Sequence, residues 1–147
     1  MSDRTASTEA GEAAPRSLAA GFGRLVVLVY VVFAVSAGVR ALFQVATKFG
    51  EAPVSFTLSA IAALIYLVAA IAIIRGAGAL ALLAVGIELA GVLAVGGLSF
   101  AVPHWFPEPS VWSHFGSGYG YVPLVLPAVG LVYLLKRRKA AESPASD

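Results

Sequence analysis

Residues 54–74 read VSFTLSAIAALIYLVAAIAII, a run of 21 residues without a charged side chain. A helix needs about 20 predominantly apolar residues to cross the hydrocarbon core of a bilayer, so this run has the length of one span. The apolar residues do not alternate with polar ones, as the strands of a transmembrane barrel require. The stretch therefore predicts a membrane-spanning helix and an all-α fold.

The composition of the whole chain agrees with a membrane location. Of the 147 residues, 59% are hydrophobic and 12% are charged, against about 45–50% and about 25% in typical soluble domains. A short chain has too much surface for so few polar residues to cover it in water. The chain has no cysteine, which excludes disulfides, thiolate metal sites and cysteine nucleophiles. The composition predicts an integral membrane protein without a cofactor.

Three further apolar runs predict a four-helix transmembrane bundle. The four spans are expected at about residues 24–44, 54–74, 77–102 and 119–135, within a domain that covers residues 21–139. The first span reaches full length only by including Arg40, and the third contains Glu88. The polar stretches 1–20 and 140–147 lack apolar periodicity and predict disordered tails. The basic residues lie at the ends of apolar runs, so binding to nucleic acid is not expected.

The distribution of Lys and Arg predicts the orientation. With four spans, both tails and the short turn at Arg75 share one side of the membrane, and that side carries eight of the ten basic residues. The other side carries Arg40 and Lys48. Because short cytoplasmic segments are enriched in Lys and Arg, both termini are expected in the cytoplasm and the protein in the plasma membrane.

Glu88 is the first candidate functional residue. It lies about 16 Å into the third span, close to the bilayer midplane, where a charge is costly unless it is paired or neutralised. The predicted intramembrane polar site consists of Glu88, Arg40, Tyr66 and Gln44. Three interpretations are open: a polar cavity with Glu88 as a protonatable floor, a buried Glu88–Arg40 ion pair that fixes packing, or an Arg40 that extends to the surface beside a neutral Glu88.

The connection before the last span is the second candidate. Residues 103–118 read PHWFPEPSVWSHFGSG, and we expect this loop to lie flat at the outer interface as an interaction surface for lipid or a partner protein. Its candidate contact residues are Trp105, Trp112, His104 and His114. The spacings of His104, Glu108 and His114 match no metal-binding motif, so no metal site is expected.

No catalytic motif is present, and the sequence favours a protein that is not an enzyme. The leading hypothesis is an accessory or scaffold subunit of a membrane assembly. The alternative is a small oligomeric transporter or channel that uses the site at Glu88 and Arg40. The expected partners are the lipid bilayer and either another membrane protein or a second copy of the chain.

Two stretches carry a resemblance to other membrane proteins. They read ATKFGEAPVSFTLSAIAALIYLVA at residues 46–69 and VWSHFGSGYGYVPLVLPAVGLVYLL at residues 111–135. These stretches resemble an uncharacterised family of small four-span integral membrane proteins of actinobacteria, over most of residues 24–138. The resemblance implies the four-span fold and assigns neither an activity nor functional residues.

The charge asymmetry yields a topology prediction. Reporter fusions at residue 20, at the turn after Arg75 and at residue 140 should all report the cytoplasm, whereas a fusion near Ser110 should report the outside. Paired reporters that are active on opposite sides of the membrane measure both outcomes. An outside signal at either terminus would contradict the assignment.

Overall fold

The computed structural model describes residues 2–142, with the side chains of residues 20–140. Its four long helices are α1 (Ser2–Lys48), α2 (Pro53–Ile74), α3 (Gly78–Ala101) and α4 (Val122–Glu142). Short 3-10 segments at Phe49–Glu51, Pro103–Trp105 and Ser113–Tyr119 lie in the connections. No strand occurs in this part of the chain, and the prediction of an all-α fold is confirmed.

Three helices are long and apolar enough to cross a membrane: Ala20–Glu51, Pro53–Ile74 and Gly78–Ala101. The fourth candidate is a bent unit in which Ser113–Tyr119 and Val122–Ala140 meet at 100°. Continuous α-helix at this position begins only at Val122, because the backbone is left-handed at Gly120 (φ +63°) and Tyr121 (φ +62°). The described residues therefore contain three candidate membrane-spanning helices, or four when the bent unit is counted as one span.

Helical structure continues into both polar stretches. The backbone of α1 is helical from Ser2, where the sequence predicts a disordered tail. This stretch contains six alanines, and alanine favours helix more than any other residue. At the other end α4 continues to Glu142, and the rest of the tail predicted at 140–147 lies outside the described residues.

The turn between α2 and α3 makes these helices antiparallel neighbours. Gly76 has a φ of +71°, and its N–H donates to the Ile73 carbonyl at 3.2 Å, while the Ala77 N–H donates to the Ala72 carbonyl at 2.9 Å. This pair of bonds around a left-handed glycine is a Schellman motif. Helix α2 therefore ends just before this glycine.

Small side chains fill the centre of the bundle, and many large ones point outward. Alanines dominate the buried faces, among them Ala62, Ala69 and Ala81. Leu42 and Leu64, by contrast, are 72% and 63% exposed. Small residues let membrane helices approach closely while large apolar side chains face lipid tails. This distribution agrees with an environment of lipid around the helices.

The segment of residues 106–121, which we call the inserted loop, folds into the bundle instead of lying flat on it. The Val111 N–H donates to the Ser59 hydroxyl of α2 at 3.0 Å, and the His114 N–H donates to the Ser99 hydroxyl of α3 at 2.8 Å. These bonds satisfy backbone groups that are cut off from water. The inserted loop is thereby fastened to two helices.

Two glycines of α3 provide the space that the inserted loop occupies. A Cβ on Gly91 would lie 2.7 Å from the Trp112 ring, and a Cβ on Gly96 would overlap the Phe115 ring. The backbone of the loop is left-handed at His114 (φ 52°) and Phe115 (φ 60°). Such conformations cost energy and persist only where the surroundings hold them in place. Packing of these two rings against glycine thus stabilises an unfavourable backbone.

We expect Gly91→Ala to lower the stability of the protein by about 1–3 kcal/mol, the usual cost of overpacking. The added methyl group would displace the Trp112 ring. Gly86→Ala is the matched control, because nothing lies within 4 Å of a Cβ at Gly86 and alanine favours helix. Thermal unfolding in detergent, followed by tryptophan fluorescence, measures both. Equal effects of the two substitutions would contradict the packing described here.

Candidate intramembrane polar site

Glu88 lies inside the bundle, at the centre of the candidate site. It is on α3, about 15 Å along the helix from Gly78 and about 20 Å from Ala101. Its side chain is fully buried, with 0% exposure. The small residues Ala81 and Ala84 share its buried face. Glu88 therefore faces protein, and the lipid does not contact its carboxyl group.

The hydrogen-bond partner of Glu88 is Tyr30 of α1. The Tyr30 hydroxyl donates to Glu88 Oε2 at 3.1 Å, and both side chains are fully buried. Gly130 of α4 makes room for this hydroxyl, since a Cβ there would lie 2.9 Å from it. Three helices thus meet at one hydrogen bond. Glu88 Oε1 has no hydrogen-bond partner among the described residues.

Tyr66 of α2 is bonded to the inserted loop. Its hydroxyl accepts a hydrogen bond of 2.7 Å from Trp112 Nε1, and it is fully buried. The ring of Phe33 packs edge-on against Tyr66, with 5.0 Å between centroids. The sequence predicts Tyr66 as a member of the polar site around Glu88, and in the structure the hydrogen-bond partner of its hydroxyl is Trp112.

Arg40 does not pair with Glu88. Its side chain is exposed, and the guanidinium carbon lies 5.3 Å from the centre of the Tyr119 ring. Tyr119 belongs to the inserted loop. Its ring attracts the guanidinium by a cation–π interaction, while the side chain of Arg40 stays exposed. Of the three interpretations, the buried Glu88–Arg40 ion pair is therefore not formed, whereas Arg40 extends to the surface as the third interpretation expects.

Gln44, the last member of the predicted polar site, is buried but remote. It lies 14 positions after Tyr30 on α1, which is about 21 Å along the helix. Only 8% of its surface is exposed. The structure therefore divides the predicted set: Glu88 and Tyr66 lie in the core, Arg40 lies about 15 Å beyond Tyr30 along α1, and Gln44 lies one turn beyond Arg40.

Tyr30 is the site residue that sequence reasoning missed. It stands within LVVLVYVVFAV, residues 25–35, where its hydroxyl is the only polar side-chain group. A hydroxyl at membrane depth must find a partner inside the protein, and Glu88 is the acceptor that lies in the neighbouring core. The isolated Tyr30 hydroxyl in an apolar span was therefore a local indication of this hydrogen bond. The opposite charge of Arg40 made Arg40 the more obvious partner for Glu88.

The predicted outer-loop surface is only partly exposed. Trp105 is 47% exposed and its neighbour His104 is exposed as well. Trp112 is only 3% exposed, so its assignment to the surface is wrong. Gly91 opens space for its ring and Tyr66 accepts its N–H, which together draw the indole inward. His114 is half-buried, with its ring centre 4.7 Å from that of Phe100.

The chemistry available at this site is narrow. It offers one carboxyl group, two phenol groups and an indole N–H, all buried. Within residues 20–140, no group of three or more His, Asp or Glu side chains is placed to hold a metal ion. Glu88 has no cation beside it in the same part of the chain, and its bond to Tyr30 ties α1 to α3. The arrangement is suited to holding helices together.

Comparison of the chain with known proteins found no significant match. No protein-family model matches the chain, and neither the curated proteins nor the solved structures include a significant match. The geometry of the buried polar site is therefore the basis for a functional proposal.

A double-mutant cycle tests the bond between Tyr30 and Glu88. Tyr30→Phe and Glu88→Leu should each lower stability, and their effects should be coupled by about 0.6 kcal/mol, the average for hydrogen bonds between membrane helices, and by no more than about 1.7 kcal/mol, the largest value measured. Glu88→Gln keeps an acceptor oxygen and should stay close to the wild type. Unfolding in detergent measures each variant.

Arg40→Leu is the control for this cycle. Because Arg40 contacts Tyr119 and is exposed, its effect should add to that of Glu88→Leu without coupling. Coupling between Arg40 and Glu88 of the same size as that of Tyr30 would overturn the assignment of the partner.

Proposed function

We propose that this chain is a non-enzymatic, multi-pass protein of the plasma membrane that acts as an accessory or scaffold subunit of a membrane assembly. Both termini lie in the cytoplasm, a placement supported by the eight basic residues on that side. The observation that carries the proposal is the closed polar core, in which the side chain of Glu88 has 0% exposure.

A closed core separates this function from transport. An acidic group that moves an ion or a proton must exchange with water on at least one side of the membrane. Here Trp112 occupies the space beside Gly91, one turn from Glu88, and Tyr30 covers Oε2. The polar groups therefore hold the bundle together, and the outward faces of the helices are left for contacts with other molecules.

One outward face of α3 has the character of a helix-packing surface. Gly86, Ala90, Ala94 and Gly97 are spaced four, four and three residues apart, which places them on one stripe of the helix. The stripe lies on the opposite side of α3 from Glu88, and nothing lies within 4 Å of a Cβ at Gly86 or Gly97. Small residues at this spacing let a second membrane helix approach closely. We assign this stripe as the contact surface for the partner subunit.

Bulky residues on the stripe test the proposal. After affinity purification from native membranes, the double variant Ala90→Ile with Gly97→Ile should carry about one tenth of the partner that the wild type carries, or less. A tenfold loss of affinity corresponds to about 1.4 kcal/mol of binding free energy. Added side chains on the stripe hold a second helix away from α3. Quantitative mass spectrometry of the co-purified membrane proteins, including a tagged second copy of this chain, measures the loss.

Ser36→Ile is the matched control, since Ser36 is a small exposed residue on α1. It adds comparable bulk to a different outward face and should leave the co-purified partner unchanged. Equal retention of partner by the stripe variant and the control would contradict the assignment of the surface.

A second candidate function is a small oligomeric transporter or channel. The observation in its favour is Glu88 Oε1, which is buried and has no hydrogen-bond partner among the described residues. If this function is correct, the protein in liposomes conducts protons or another cation, and Glu88→Gln abolishes the flux. Flux that depends on Glu88 would replace the scaffold proposal, and its absence would remove the alternative.

A further inference from the structure

A groove separates α1 from α4 at the end of the bundle that carries the basic residues. Its volume is about 1480 Å³, and its lining comes from residues 20–31 of α1, the end of α2 with the turn that follows it, and residues 128–137 of α4. At the inner end the two helices meet, because the Tyr30 hydroxyl packs against Gly130. The groove is therefore closed at the end that faces the core, and its other end carries the basic residues.

Four cationic side chains line this groove. Arg24 comes from α1, Arg75 from the turn after α2, and Lys136 and Arg137 from α4. All four side chains are exposed. No Asp or Glu is among the described lining residues, so this positive charge has no acidic counterpart within the groove.

Tyr133 gives the basic end of the groove a defined shape. Its hydroxyl accepts a hydrogen bond of 3.3 Å from Arg137 Nη1, and its ring packs edge-on against Phe22, with 5.8 Å between centroids. Gly23 permits this contact, since a Cβ there would lie 2.5 Å from the hydroxyl. Arg137 is thus held at the groove by a side chain that itself contacts α1.

The walls below the cations are apolar. Val27 and Val31 of α1 line one side, and Val129 and Val132 of α4 line the other. From Arg24 to Val31 the wall runs about 10 Å, and from Lys136 to Ala128 about 12 Å. A basic end at the level of the lipid phosphates and an apolar trough below it match the two parts of a phospholipid.

We propose that the groove binds an anionic phospholipid, with the headgroup phosphate among the four cations and an acyl chain between the valines of α1 and α4. Charge complementarity decides the class of lipid, because basic pockets between membrane helices select anionic headgroups. A second copy of this chain would bring its own four cations to the contact and is disfavoured by repulsion. The proposal does not depend on the proposed function.

Native mass spectrometry of the delipidated protein in detergent tests the site. One molecule of phosphatidylglycerol should bind to each chain. Its affinity should be higher than that of phosphatidylcholine with the same acyl chains. The double variant Arg24→Gln with Lys136→Gln should bind phosphatidylglycerol about 25-fold more weakly, since each basic residue near a membrane surface contributes about fivefold. Ala128→Trp fills the apolar trough without a change of charge and should also displace the lipid.

Lys48→Gln with Lys139→Gln is the matched control, since it removes the same charge from positions outside the groove lining. It should keep the affinity for phosphatidylglycerol within about threefold, which is less than the contribution of one groove cation. Equal binding of phosphatidylcholine, equal losses in the control and the groove variant, or a shift between monomer and dimer in place of lipid release would each overturn the proposal. Thermal unfolding of every variant confirms that a loss of binding is not a loss of fold.

Discussion

The polar groups that this chain carries into the hydrocarbon depend on hydrogen-bond partners within the protein, and most of those in the core have one. Water does not compete there, and an unpaired group costs several kcal/mol. The Tyr30 hydroxyl donates a hydrogen bond to Glu88, and the Trp112 indole donates one to Tyr66. Two backbone N–H groups of the inserted loop donate to the hydroxyls of Ser59 and Ser99. Each of these bonds joins two different segments. The requirement to satisfy polar groups therefore also determines which segments are neighbours.

Glycine provides the space in which these bonds form. Trp112 packs on Gly91, Phe115 on Gly96, and Tyr30 on Gly130, so that each large ring is matched to a position without a Cβ. Membrane helices gain little from the hydrophobic effect between them, and close packing takes its place. Because the rings come from α1 and the inserted loop while the glycines come from α3 and α4, this matching joins distant parts of the sequence.

Local patterns were sufficient to predict the four apolar helices, but not the helical polar end of α1 or the contacts between the helices. The uncharged run at residues 54–74 and the left-handed glycine at position 76 are local signals, and both lead to the observed elements. The inward orientation of Glu88 follows from its depth and its small neighbours. Its partner does not follow, because Arg40 and Tyr30 both lie on α1, and local patterns do not show which of them reaches Glu88.

The burial of Trp112 in the inserted loop could not be predicted from the sequence. Its composition of Pro, Gly and aromatic residues is typical of a loop at the membrane interface, and Trp105 remains exposed there. Trp112 is buried only because an acceptor on α2 and an empty position on α3 face it across the bundle. Neither feature leaves a mark on the sequence near Trp112, so periodicity cannot reveal it.

The order of synthesis gives the inserted loop a role in assembly. The ribosome makes α1, α2 and α3 first, while Trp112 follows its partner Tyr66 by 46 positions. A chain that has inserted only three helices thus contains Glu88 and Tyr30 but lacks both the indole that covers Gly91 and the glycine of α4 that accommodates the Tyr30 hydroxyl. Completion of the core therefore requires the last third of the chain, which supplies both the indole and this glycine.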